Sequence, residues 1–239
     1  VLPILFINLD SDGARRERME AEFSRLGLTA ERFAATRWTE LPETEQARFY
    51  SAGLNSTQFH KPLVAGEKGC YTSHLLAWNW LLASKHPAMV LLEDDVALRP
   101  EFGAVISAIE QLPAGWDMIK LIGREHEKLS AARQLTAGFE LVDYLRVPSL
   151  TAGYVISRSG AKKLLDSRIP FGRPVDVDLR YWWESGLKVQ GVMPAAISLD
   201  DTSLQSSIGA KAAASGLVAS WRKFRIKAAY SLLNRWHQP

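Results

Sequence analysis

The stretch Met89-Val90-Leu91-Leu92-Glu93-Asp94-Asp95-Val96 constrains this chain more than any other: an apolar run ends abruptly in three adjacent acids. Four apolar residues in succession predict a strand buried on both faces, as in a parallel sheet. The acids then fall at its carboxyl end, where open α/β sheets place their ligand crevice. Neighbouring carboxylates repel one another unless they are solvated or share a cation. The residues alone therefore leave two readings open, a hard-metal site and a polar loop.

With 239 residues and 47% hydrophobic content, the chain can bury one large core and is neither fibrous nor disordered. Its single cysteine, Cys70, excludes an intrachain disulfide framework and a multi-cysteine zinc site, and favours a reducing compartment. No apolar run approaches the ~20 residues of a membrane span. The opening Val1–Leu9 lacks a basic leader and a small-residue cleavage site, and reads as a first core strand instead of a signal peptide. Charge is unevenly spread. No acid follows Asp201, whereas Lys211, Arg222, Lys223, Arg225, Lys227 and Arg235 all lie beyond it, so a mildly acidic body carries a basic end.

After the first strand, Ser11 or Asp12 caps a helix with Met19, Phe23 and Leu26 on one face and Gly27 as its stop. Its other face carries Arg15, Arg16, Arg18 and Arg25, which either meet a phosphate or pair with Glu17, Glu20 and Glu22. Glu31–Ala35 reads as a short strand and residues 36–62 as a polar excursion with or without short helices. A helix from about Thr72 is apolar on nearly all sides and hence buried, with His74 one turn in. Beyond the acids come a helix to about Gln111, a strand at 116–123, an irregular charged segment at 124–138, strands at 139–147 and 151–157, and a helix at 160–166 capped by Ser159. This alternation predicts an α/β fold whose mostly parallel central sheet is flanked by helices. Pro174-Val175-Asp176-Val177-Asp178 is a second acidic cluster. Its acids either cap a helix running to Glu184 or carry chemistry, and two separated acidic sites permit one to hold a metal while the other removes a proton.

Several blocks recur in a familiar order: Ile7-Asn8-Leu9 followed by Arg15, Arg16, Arg18 and Met19; Glu31-Arg32-Phe33; Gly66-Glu67-Lys68-Gly69-Cys70 with Ser73, His74 and Trp78; Leu92 to Val96; Thr151 to Arg158 with Gly160 and Ala161; and Pro174-Val175-Asp176. Together, from Ile4 to roughly Ile208, they resemble glycosyltransferase family 25. The resemblance implies a GT-A-like nucleotide-sugar transferase fold, a UDP-sugar donor carrying galactose or glucose, and an inverting transfer that forms a β-glycoside on a lipooligosaccharide or other surface glycan. It casts Glu93-Asp94-Asp95 as an Asp-x-Asp motif, with Asp95 and Glu93 on Mn²⁺ or Mg²⁺ and Glu93 and Asp94 toward the donor. Asp176, matching the Pro-Val-Asp block, is carried over as the base, with Asp178 in reserve. Asn8 and Arg16 are carried over as donor contacts, and Glu67, Ser73 and His74 as residues lining the site. Asp200 to Ile208 resembles the family's closing segment.

A catalytic domain is thus expected over residues 1–209 and a basic helical tail over 210–239. In the tail Leu217, Trp221, Phe224, Ala228 and Leu232 share a stripe, away from Arg222, Lys223 and Lys227. Such a helix suits an anionic membrane surface, contacted through 217–236, or packing on the domain with a solvated basic edge. The expected location is cytoplasmic, peripheral on the inner face of a bacterial inner membrane. Nucleic acid is not an expected partner, because the basic residues are confined to one helix. A UDP-sugar- or glycan-binding protein that keeps the fold without turnover is the alternative.

Overall fold

The computed structural model describes residues 1–124, 126–200 and 217–238. In chain order they form β1 (Ile4–Asn8), α1 (Gly13–Arg25), β2 (Glu31–Ala34), α2 (Glu43–Phe49), α3 (Ala52–Gln58), α4 (Ala65–Ala83), β3 (Ala88–Glu93), β4 (Val96–Leu98), α5 (Phe102–Glu110), β5 (Met118–Lys120), β6 (Leu129–Thr136), β7 (Phe139–Tyr144), β8 (Gly153–Ser157), α6 (Arg158–Ser167), α7 (Val175–Asp178), β9 (Val189–Met193), β10 (Ile197–Leu199) and α8 (Leu217–Trp236). The main sheet has the order β2-β1-β3-β8-β5-β9-β7-β6, and β10 pairs with β4 in a small second sheet. β1 runs parallel to β2 and β3, and β5 to β9, while β8 and β7 run against their neighbours. The carboxyl ends of β1, β3 and β5 therefore share one edge. This is a GT-A-like α/β arrangement, a mixed central sheet flanked by helices.

The alternation of side chains along a strand builds a core on each face of the sheet. Val90 and Leu92 of β3 join Phe6 and Val155 against Met19 and Phe23 of α1 and Phe102 and Val105 of α5. Met89 and Leu91 join Tyr154 and Ile156 against Leu75 and Trp78 of α4 and Leu164 of α6. Burial of each large side chain is worth roughly 1.5–3 kcal/mol. Because β3 is covered on both sides, its backbone is rigid up to the acids.

Several elements differ from expectation for local reasons. α4 begins at Ala65, well before Thr72, because the Glu67 carboxylate accepts the Val64 N–H at 3.0 Å and caps the first turn. Gly69 then lets this helix cross the chain after β2, since a Cβ there would lie 2.5 Å from the Thr36 carbonyl oxygen. Ser157, not Ser159, caps α6: its Oγ accepts the Gly160 N–H at 3.1 Å, while Ser159 donates to Asp117 at 2.6 Å. β6 occupies part of the segment expected to be irregular. Most of it faces solvent, so it shows no apolar alternation, and Gly138 at φ +76° turns it into β7. The helix expected to reach Glu184 is the single turn α7 followed by a 3₁₀ turn at Trp182–Glu184.

α8 packs on the domain and also leaves an apolar face outside. Tyr230 is buried, its ring 5.1 Å from Tyr181 and 5.6 Å from Trp183, and Asn234 donates to the Leu145 carbonyl at 2.9 Å. Trp221, Phe224, Leu232 and Trp236 point away from the domain. The 209/210 boundary, the closing segment after Asp200 and the Leu217 side chain lie outside the described residues. No helix among the described residues is long and apolar enough to cross a membrane.

Candidate active site

The parallel pairing of β1 with β3 sets Ile7 beside Glu93, so Asn8 and the three acids emerge together. Glu93 makes the last sheet contact, its N–H donating to the Ala152 carbonyl at 2.8 Å. Asp94 is fully engaged: one carboxylate oxygen accepts from Asn8 Nδ2 at 2.7 Å and the other from Arg15 at 2.9 Å. Asn8 in turn accepts from Arg32 at 2.9 Å. Arg18 donates to the carbonyls of Asp94 and Val96 and pairs with Asp200 at 2.5 Å. The Asp200 N–H donates to the Asp95 carbonyl at 2.9 Å, so the chain leaving β10 returns to the acidic corner.

Asp95 is the exception in this tightly bonded corner. Its Oδ1 is buried with no hydrogen-bond partner, and burial first, then the neighbouring Glu93, push its carboxyl up to about 6. A hollow of about 120 Å³ lies between the ends of β1 and β3, bounded by Arg15, Thr36, Cys70, His74, Glu93 and Asp95. Its size suits an ion or a phosphate, and a whole nucleotide sugar extends beyond it.

Two donor sets here could hold a cation. Glu93 and Asp95 offer hard carboxylate oxygens, and a divalent ion satisfies the orphaned Asp95 oxygen and quenches the repulsion, so these residues fit Mn²⁺ or Mg²⁺. Cys70, His74 and Glu93 also bring ligand atoms within 4.8 Å of one another. Burial and the surrounding carboxylates Glu93, Asp176 and Asp95 push the Cys70 thiol well up, however, so it stays protonated. His74 is committed as well. Its Nδ1 lies 2.7 Å from the Tyr154 hydroxyl, which also accepts from Trp78 Nε1 at 2.8 Å. Nε2 is buried, has no hydrogen-bond partner and lies 3.5 Å from a Glu93 oxygen. The carboxylate pair is the better-matched centre.

Asp176 stands in α7 within electrostatic reach of this pair. Burial first and Glu93 second raise its carboxyl to about 6, while the Val177 backbone N–H and Lys120 act in the opposite direction. Lys120, at the end of β5, is 1% exposed, its ammonium donating to the carbonyls of Pro148 at 3.0 Å and of Leu150. Burial lowers it to about 8, and Asp176 opposes that shift. A carboxyl raised to about 6 under the influence of a buried lysine can exchange a proton near neutrality.

The structure thus gathers His74, Glu93, Asp94 and Asp95 around one hollow, with Asn8 bonded to Asp94 and Asp176 within electrostatic reach of Glu93. Glu67 pairs with Lys61 at 2.9 Å, and Ser73 accepts from Thr36 N–H and donates to the Gly69 carbonyl, each at 2.8 Å, so both brace the wall of the site. Two expected residues are not brought to it. Arg16 is exposed and paired with Glu20 at 2.8 Å, because one residue along a helix turns the side chain by about 100°. Its neighbour Arg15 faces the acids instead. Asp178 is buried on the far side of its turn, Oδ1 accepting from Arg173 at 2.7 Å and Oδ2 lying on Tyr71 and Arg168. Sequence reasoning gives Lys120 and Tyr154 no site role and offers Arg15 a phosphate or a helix acid, whereas Arg15 holds Asp94. Lys120 carried a usable signal, a lysine inside the apolar run Met118-Ile119-Lys120-Leu121-Ile122.

A mixed α/β sheet with carboxylates at the carboxyl end of a central strand is a GT-A-like arrangement. The family model described as Glycosyltransferase family 25 (LPS biosynthesis protein) matches residues 1–179. The chain belongs to glycosyltransferase family 25. It is similar to a Glycosyltransferase 25 family member of Anopheles gambiae, 31% identical over 191 residues, a match covering 73% of this chain and 30% of that protein. The Drosophila melanogaster family member is 31% identical over 181 residues, covering 73% and 29%. Procollagen galactosyltransferase 1-B of Xenopus laevis is 27% identical over 182 residues, covering 73% and 30%. The matched part of the chain thus spans 29–30% of the length of these relatives.

Proposed function

We propose that this protein moves a hexose, galactose or glucose, from a UDP-sugar to a glycan acceptor with inversion, forming a β-glycoside. The observation that carries the proposal is the pair of uncompensated carboxylates, Asp95 and Asp176, each raised to about 6 and each under the influence of Glu93. Asp95 and Glu93 would hold Mn²⁺ or Mg²⁺, which when bound supplies positive charge to a departing diphosphate. Asp176 takes the proton of the acceptor hydroxyl as its oxygen attacks the anomeric carbon from the face opposite UDP. The new C–O bond forms as the sugar–phosphate bond breaks, and the proton ends on the Asp176 carboxylate. Lys120 favours the ionised form of Asp176 before attack. His74 lines the hollow and would donate to an anionic oxygen there through Nε2.

Incubation with Mn²⁺ or Mg²⁺ and a panel of UDP-sugars tests the proposal, with UDP release followed with and without a lipooligosaccharide acceptor. Release with one donor is expected. UDP binding without release from any donor would leave a binding protein of the same fold.

The acceptor assignment, a lipooligosaccharide or other surface glycan, draws support from the family's description as an LPS biosynthesis protein. The proposed division is a catalytic unit over 1–209 and a tail over 210–239. The outer face of α8 is proposed to rest on an anionic membrane, with the protein peripheral on the cytoplasmic face. Trp221 and Trp236 on that face are 63% and 83% exposed, and the Arg225 guanidinium lies 5.1 Å from the Trp221 ring centre. Apolar rings flanked by arginine match a headgroup boundary. Flotation with anionic vesicles tests this contact: failure of the full chain to float removes it.

A further inference from the structure

Where α8 lies against the domain it closes a cleft whose charge is one-sided. The guanidinium carbons of Arg146 and Arg180 lie 4.9 and 4.3 Å from the centre of the buried Tyr230 ring. Lys227 joins both arginines in a cleft of about 420 Å³ bounded by Pro148 and Leu150, and a neighbouring hollow of about 210 Å³ adds His60 and Lys223. Glu127 is the one acid among the described residues lining these spaces. No described acid pairs with Arg146, Arg180, Lys223 or Lys227, and Arg180 Nε is buried without a hydrogen-bond partner. Arg173 shows the contrast: it stacks on Tyr181 at 3.7 Å but is neutralised by Asp178 and Glu184. Cations gathered without counter-charge repel one another until an anion joins them, and guanidinium groups match phosphate and carboxylate oxygens.

The cleft opens beside the proposed base. Val177, the residue after Asp176, lines the smaller hollow together with Arg180, whose N–H donates to the Val177 carbonyl at 3.2 Å. Pro148 and Leu150, which border the cleft, hold the Lys120 ammonium through their carbonyls. The family match ends at residue 179, so Arg180, Lys223, Lys227 and Tyr230 lie in the part of the chain beyond it.

We propose that this cleft is an anion subsite for the acceptor, taking a phosphate monoester or carboxylate carried by the acceptor glycan and setting the reactive hydroxyl toward Asp176. The proposal rests on the transferase reading above. Its test is titration of the full chain at about 0.15 M salt with glucose, glucose 6-phosphate and glucuronate, in parallel with UDP and Mn²⁺. Tryptophan fluorescence reports the sugars, since Trp183 lies against Tyr230. One or both anionic sugars should bind about tenfold or more tightly than glucose, and the stronger of the two names the acceptor's charged group. Arg146→Gln combined with Arg180→Gln should remove that advantage while UDP affinity is unchanged. If that pair loosens α8 in a melt, Lys223→Gln with Lys227→Gln, both on exposed side chains, should reduce it about threefold or more. Equal binding of glucose and both anionic sugars, undiminished binding in the variants, or displacement of glucose 6-phosphate by UDP would overturn the subsite. Failure of the unaltered chain to bind UDP with Mn²⁺ would count against the transferase reading and leave the sugar comparison readable.

Discussion

Asp176 and Asp178 stand two residues apart on one helical turn in opposite surroundings. Asp178 is buried among Arg168, Arg173 and Tyr71, with both oxygens occupied. Asp176 is pushed up by burial and by Glu93, and the opposing charge of Lys120 does not restore it. The same contrast recurs at the end of β3, where Asp94 is held by Asn8 and Arg15 while Asp95 keeps an orphaned oxygen. In each pair one carboxylate is spent on the fold and the other is left uncompensated. The difference separates acids that stabilise from acids that are available to a substrate or a cation.

The sharpest way to break the contrast is Asp178→Asn, which leaves Arg168 and Arg173 to share Glu184 beside a neutral group. Urea denaturation should show a loss of about 3–5 kcal/mol. Asp176→Asn should do the reverse in metal-free protein, raising stability at pH 7 by about 1–2 kcal/mol. Folded Asp176 keeps its proton up to about 6 and the unfolded chain releases it near 3.8, so the folded state is penalised as pH rises through that window. The gain from asparagine is therefore absent below about pH 4 and complete above about pH 6, and denaturation at both pH values checks it. Transfer by the unaltered enzyme should climb through about pH 6 as Asp176 ionises.

Smaller effects sharpen the account of the wall. Tyr154→Phe deprives Trp78 Nε1 and His74 Nδ1 of their shared partner and should cost about 1–3 kcal/mol. It also removes the Nδ1 contact that orients the imidazole beside the hollow, so UDP affinity should fall along with stability. Arg16→Ala should change neither UDP affinity nor transfer, because its partner is the solvent-exposed Glu20.

How far these contrasts were legible in the sequence follows from what each depends on. The buried β3 and its acidic terminus follow from composition along one strand, and the family blocks bring Asp176 and His74 to notice. Apart from the family resemblance, the residues themselves do not distinguish Asp94 from Asp95 or Asp176 from Asp178, because partners such as Arg15, Arg168 and Arg173 arrive through tertiary packing. β6 escaped because a solvent-facing hairpin strand needs no apolar alternation. The start of α4 escaped because a side chain three residues into the helix caps it. The phase of α1, which selects Arg15 over Arg16, turns on a single residue of helix register.

The division of labour between Asp95 and Asp176 is the central claim, and paired measurement of UDP binding and sugar transfer tests it most directly. Calorimetry with UDP and Mn²⁺, alongside UDP release with donor and acceptor, should be run on the unaltered chain, Asp95→Ala and Asp176→Asn. Asp95→Ala should lose metal-dependent UDP binding and transfer together. Asp176→Asn should bind UDP normally while transfer falls by ~10²–10⁴. Normal transfer by Asp176→Asn, or metal-dependent UDP binding that survives in Asp95→Ala, would contradict it.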